Sequence, residues 1–178
     1  VPCPGVNHAD FSADGNTFVA TCEFGGALIL MDTQKQALIS KIKLPTTFTK
    51  DPMPQDIKLS PDGKTFFIAD MMSNGLWVMP SDHFGSFTFI KTGKDAHGLY
   101  VTRDSKFLLI TNRGEGSVSE LRFADKKLVA KWKIPGGGSP DMGGITADGK
   151  QFWVSGRYNG LVYVFDIEKG KFLRKIKV

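Results

Sequence analysis

Four aspartates, Asp14, Asp62, Asp104 and Asp148, recur 48, 42 and 44 residues apart, and each anchors the same local grammar. A short apolar segment leads to an Asp-Gly or Asp-Ser turn. A second segment rich in Phe, Val and Ile follows, then a glycine-containing turn, a third apolar run, and a fourth segment in which apolar and basic residues alternate. The second copy shows this most plainly, with Ser60-Pro61-Asp62-Gly63, Phe66-Phe67-Ile68-Ala69 and Gly75-Leu76-Trp77-Val78. Turn residues at fixed offsets between short apolar or alternating runs mark antiparallel strands. No segment sustains a helical period.

Four strands repeated every 40 to 50 residues or so is the arithmetic of propeller blades. The reading is therefore all-β: a β-propeller built from four four-stranded antiparallel blades at about 5–47, 53–93, 94–137 and 138–178, as a single unit over 1–178. The common register of the turn signals disfavours a β-sandwich or an open β-array. Four blades could be part of a larger propeller, could close alone, or could be completed by oligomerisation, as in a homodimer whose two copies complete one ring. Apolar residues such as Phe18, Val19, Leu28 and Leu30 at one end, and Trp153, Val162, Val164 and Phe165 at the other, are the faces such association would cover.

Composition excludes several classes. The 178 residues, 41% apolar and 23% charged, suffice for a core without metal or disulfide staples. No apolar run is long enough to span a membrane as a helix. The net charge of +5 comes largely from lysines such as Lys41, Lys43, Lys131, Lys133, Lys175 and Lys177 that alternate with apolar residues, a solvated strand face. Without clustering or aromatic platforms it predicts no nucleic-acid partner. The start, Val1-Pro2-Cys3-Pro4, lacks an initiator Met and a signal-peptide pattern and reads as a processed or trimmed chain. Cys3 and Cys22 allow at most one disulfide; pairing and free thiols both remain open.

Several segments carry a family resemblance. Ser60-Pro61-Asp62-Gly63-Lys64, Gly98-Leu99-Tyr100-Val101, Ile110-Thr111-Asn112 and Gly116-Ser117-Val118-Ser119 resemble the repeats of bacterial YVTN-type, YncE-like propellers. The resemblance covers essentially the whole chain. It implies propellers of about seven blades, often exported, and hence a periplasmic or extracellular location; the four blades here depart from that number.

Function on such a scaffold belongs to the loop face at the mouth of the central channel. Seven residues before each anchoring Asp stand Asn7, Gln55, His97 and Asp141, and six before stand His8, Asp56, Gly98 and Met142. Together with Asn112, Arg113, Arg157 and Tyr158 on the second-to-third strand loops, Asn7, His8, Gln55, Asp56, His97 and Asp141 are the predicted ligand contacts. The favoured function is a non-enzymatic binding scaffold for a protein or small-molecule ligand, with no cofactor required. Three sharper chemistries compete with it. His8, His97, Asp56 and Asp141 supply imidazole and carboxylate for a divalent metal, against a capping role for the same residues. Cys22 with Met71, Met72 and Met142 supplies soft ligands for Cu(I), against plain packing. Glu23, His97 and Arg113 or Arg157 supply the residue types of a lactonase-like hydrolase, against surface ion pairing.

Overall fold

The structure, a computed structural model, describes residues 2–46 and 51–178; the expected end of the first blade at residue 47 lies outside them. Among the described residues the chain forms four four-stranded antiparallel sheets, each ordered by sequence. Blade 1 holds β1 (Val6–Phe11), β2 (Thr17–Cys22), β3 (Ala27–Asp32) and β4 (Ala37–Lys43). Blade 2 holds β5 (Pro54–Leu59), β6 (Thr65–Asp70), β7 (Gly75–Pro80) and β8 (Thr88–Lys91). Blade 3 holds β9 (Ala96–Val101), β10 (Phe107–Asn112), β11 (Ser117–Arg122) and β12 (Lys127–Lys133). Blade 4 holds β13 (Pro140–Ile145), β14 (Gln151–Gly156), β15 (Leu161–Asp166) and β16 (Lys171–Lys177). The blades fall into two compact units, Val1–Lys91 and Thr92–Val178, with two blades in each.

The anchoring aspartates close the first hairpin of every blade in the same way. A Ser or Thr two residues earlier donates its hydroxyl to the carboxylate: Ser12 to Asp14 (2.6 Å), Ser60 to Asp62 (2.5 Å), Thr102 to Asp104 (2.7 Å) and Thr146 to Asp148 (2.6 Å). The same carboxylate accepts the backbone N–H two residues on. The residue after each Asp has a positive φ, which Gly15, Gly63 and Gly149 adopt freely and Ser105 adopts at φ 60°.

Alternation along the strands sends successive side chains to opposite faces of each sheet. In the first unit, Val19, Leu28 and Leu30 of blade 1 pack with Ile57, Phe66, Ile68, Trp77 and Met79 of blade 2. In the second, Leu109, Val118 and Trp132 of blade 3 pack with Phe152, Val154, Tyr163 and Phe165 of blade 4. This corrects the expected end faces. Val19, Leu28, Leu30 and Phe165 point into these inter-blade cores, because a run of consecutive apolar residues feeds both faces of its sheet. The other face of blade 1 carries Ala20, Cys22, Ala27 and Ile29 with Phe18 packed beside them.

Candidate functional site

Each inner strand carries one extra residue relative to its neighbour. The pairing of β1 with β2 slips between Val6 and Ala9, that of β5 with β6 between Pro54 and Ile57, and that of β13 with β14 between Pro140 and Gly143. In blade 3 the slip falls opposite Ile110 and Asn112, between Leu99 and Ala96. All eight residues of the two columns therefore sit in β-bulges: Asn7-His8, Gln55-Asp56, His97-Gly98 and Asp141-Met142. A bulge breaks the ladder and re-aims its side chains. The backbone groups released there still need partners.

Hydroxyls seven residues after the anchoring Asp meet part of that need. Thr21 accepts from His8 N–H (3.1 Å) and donates to the Gln55 carbonyl across the blade boundary (2.7 Å). Thr111 accepts from Gly98 N–H (2.7 Å) and donates to the Asp141 carbonyl (3.1 Å). Ser155 plays a matching part within blade 4, accepting from Met142 N–H (3.2 Å). Sequence reasoning missed this Thr/Ser column, although its constant offset from the anchoring Asp made it visible.

In the first unit, Asn7 donates to Glu23 (3.2 Å) and to Gln55 (3.2 Å), and Gln55 donates to Glu23 (3.2 Å). His8 Nδ1 lies 3.5 Å from Asp56 Oδ1, an ion pair when the imidazole is protonated. Asp56 also accepts from the Ile57 N–H (2.8 Å). Glu23 opens a three-residue 3₁₀ turn that follows Cys22. Cys22 is bonded to Cys3 in a disulfide with Cα atoms 5.0 Å apart, which settles the open pairing and removes Cys22 as a soft metal ligand.

The second unit gathers more charge. Asp141, only 4% exposed, receives Arg113 Nη1 on Oδ1 (3.1 Å) and Arg157 Nη1 on Oδ2 (3.2 Å), while His97 Nδ1 lies 3.2 Å from Oδ1. The side chains of Asp141 and His97 are buried and that of Arg113 is partly buried, whereas that of Arg157 is 53% exposed. The hydrogen bond to Asp141, and then its charge, raise the already high pKa of Arg157. The Arg113 guanidinium lies over the ring of Tyr158 at 5.9 Å, and Tyr158 is 74% exposed. Gly98 permits this convergence, because a Cβ there would strike the Tyr100 hydroxyl and the Asp141 carbonyl. Tyr100 in turn accepts from the Gly143 N–H (2.7 Å).

Of the predicted contacts, His97, Asp141, Arg113, Arg157 and Tyr158 thus form one cluster in the second unit. Asn7, Gln55, His8 and Asp56 form two polar pairs in the first. Asn112 is fully buried; its amide donates to Ser117 (3.0 Å) and Ser119 (2.9 Å) and accepts from Thr92 (3.1 Å), so it shapes the loop that carries Arg113. Each of the four residues considered for a divalent ion meets one such partner, His8 with Asp56 and His97 with Asp141. Among the described residues no group of three or more His, Cys, Asp or Glu is assembled. At Asp141 two guanidiniums already occupy the oxygens a cation would need.

Four-stranded meanders joined in sequence order, each with a bulged inner strand, define the molecule as β-propeller blades. The sequence profile of the YncE-like beta-propeller family matches residues 7–178, and the chain belongs to that family. No curated protein is similar enough in sequence to count as a relative. Solved structures share the fold at low identity. Hydrazine synthase of Kuenenia stuttgartiensis aligns at TM-score 0.81 and 19% identity, over 98% of this chain and 49% of that one. A putative 6-phosphogluconolactonase of Bacteroides uniformis aligns at TM-score 0.76 and 19% identity, over 98% and 55%. The periplasmic gluconolactonase of Pseudomonas aeruginosa aligns at TM-score 0.78 and 14% identity, over 97% and 57%. The chain spans about half the length of these structures.

Proposed function

We propose that the loop face of the second unit binds a small organic anion of the carboxylate class, as a binding scaffold and not as a catalyst. One observation carries this reading: two guanidiniums converge on a single buried carboxylate, with one of them half-exposed beside an exposed tyrosine. With His97 neutral the cluster holds one more positive charge than negative. Asp141 holds both arginines, Arg157 also meets Tyr158, and its half-exposed guanidinium faces solvent, where a planar carboxylate reaches it. Tyr158 offers a ring face against which the carbon skeleton of a ligand packs.

The gluconolactonases among the similar structures make lactone hydrolysis the rival reading, with His97 relaying a proton and an arginine stabilising the oxyanion. Against it, the other hydrolytic residue expected from sequence, Glu23, is engaged by Asn7 and Gln55, and the Asp141 that faces His97 Nδ1 is already shared between two guanidiniums. The disulfide supports an oxidising compartment, in keeping with the export common in this family. The test is calorimetric titration with gluconate. Arg157→Ala takes its guanidinium from one oxygen of the buried Asp141, at a cost of about 1–3 kcal/mol, so the urea midpoint of the variant is measured beside its titration. Saturable binding lost in that variant, with no turnover of glucono-δ-lactone above background, is the expected result. Turnover abolished by His97→Ala would put the hydrolase in its place.

A further inference from the structure

The Asp141 carboxylate is shared by three nitrogen-bearing side chains. Arg113 Nη1 lies 3.1 Å from Oδ1, His97 Nδ1 lies 3.2 Å from the same oxygen, and Arg157 Nη1 lies 3.2 Å from Oδ2. His97 comes from the bulge of β9, Asp141 from that of β13, Arg113 from the β10–β11 loop and Arg157 from the β14–β15 loop. A guanidinium keeps its charge at any pH at which a protein stays folded. Imidazole is the side chain that changes charge between about pH 5 and pH 8. Other charged side chains stand close by on the same segments. Glu115 is paired with Lys131 (2.8 Å), and the Asp95 carboxylate and the Lys94 stem lie against Gly114. Tyr158 lies under the Arg113 guanidinium, and the Tyr100 hydroxyl reaches the Asp141 carbonyl (3.5 Å).

Backbone ties hold His97 and Asp141 in register. The Thr111 hydroxyl accepts from the N–H of Gly98, the residue after His97 (2.7 Å), and donates to the carbonyl of Asp141 itself (3.1 Å). Close packing leaves no slack, since a Cβ at Gly98 would strike the Tyr100 hydroxyl and that same carbonyl. His97 is 5% exposed, so a proton gained by its ring is little screened by water. With the imidazole neutral the group carries one net positive charge. The imidazolium raises that to two and shares Oδ1 with Arg113. An anion arriving at the half-exposed Arg157 then meets one more unit of positive charge. By linkage the coupling also runs the other way: a bound anion makes the imidazolium harder to deprotonate.

We propose that His97 is a positioning residue that sets the affinity of this anion site from behind Asp141: protonation of its imidazole tightens carboxylate binding, so the site loads in mild acid and releases as pH rises. The inference rests on the carboxylate reading of the site. Because the protonated form is the tighter binder, affinity rises as pH falls through the His97 titration and levels off on either side of it. The ligand carboxylate stays ionised over that range. One unit charge about 10 Å from the ligand, at an effective dielectric between those of protein surface and water, changes affinity by about fivefold.

The test is calorimetric titration of the 178-residue chain with gluconate at about pH 8 and about pH 5.5, at one ionic strength. The Kd should be about fivefold lower at the acid value. His97→Gln, which leaves His8 and His83 to titrate as before, should bind with one affinity at both. A second measurement needs no ligand and no change at His97. The ring resonances of the three histidines are followed by NMR as pH falls. The His97 midpoint should rise in Arg157→Ala, because a cation has left the carboxylate it faces, while those of His8 and His83 stay in place. Equal Kd at the two pH values, a pH dependence kept in His97→Gln, or a His97 midpoint that Arg157→Ala leaves unmoved would overturn the inference and leave the anion reading standing. Absence of saturable binding at both pH values would overturn that reading and the inference with it.

Discussion

The side chains that close the inner hairpins act through their charge as well as their shape. The carboxyl of Asp14 is held below the usual range first by the Ser12 hydroxyl, that of Asp104 by the Thr102 hydroxyl, and that of Asp148 by the Thr146 hydroxyl. A folded-state pKa below the unfolded value means that the unfolded chain binds more protons in acid. The stabilisation is fully present above the unfolded carboxylate range and is lost as pH falls through the depressed folded values. Urea midpoints should therefore hold steady from neutrality to about pH 5 and fall below about pH 4, with a shallower acid limb in an Asp104→Asn, Asp148→Asn variant. An unchanged acid limb in that variant would remove these turns as its cause. This layer was fully legible in the sequence, because the Ser/Thr, the Asp and the positive-φ position lie within four consecutive residues and their chemistry is local.

Bulges matter most among the elements, because they decide which residues reach the loop face. The sequence shows the polar columns as a constant offset from the turn. It does not show that each inner strand carries an extra residue, which exists only relative to the pairing partner. Thr111 illustrates the consequence: it ties the bulge at Gly98 to the Asp141 backbone of the next blade. Thr111→Val keeps the shape and leaves the buried Gly98 N–H without its acceptor, a cost of about 1–3 kcal/mol. A lower urea midpoint together with weaker gluconate binding is expected, and Thr111→Ser should restore both. Wild-type stability in the valine variant would show that the bulge does not depend on this hydroxyl. The disulfide was likewise beyond reach from sequence, since Cys3 and Cys22 approach each other only once the segment before β1 runs beside the end of β2, with Glu23 N–H bonded to the Gly5 carbonyl (2.8 Å). Closing a loop of that length contributes on the order of 3 kcal/mol.

For the molecule as a whole, repeat arithmetic predicted the blades, and the sheets bear out the all-β propeller class. The facing of individual apolar residues was less legible, because a run such as Leu28-Ile29-Leu30 is apolar on both sides and only the neighbouring blade distinguishes them. Electrostatic convergence was the hardest to foresee: Arg113 and Arg157 lie 44 residues apart in corresponding loops of adjacent blades, and nothing in that spacing shows that folding brings both to Asp141. That convergence is the feature on which the proposed anion site rests. The most direct measurement is a crystal structure of the chain grown with gluconate. The account predicts the ligand carboxylate within hydrogen-bonding distance of the Arg157 guanidinium, its carbon skeleton against Tyr158, and Asp141 still bridging both arginines. Gluconate seated elsewhere, or an Arg157 guanidinium turned away from both Asp141 and the ligand, would contradict it.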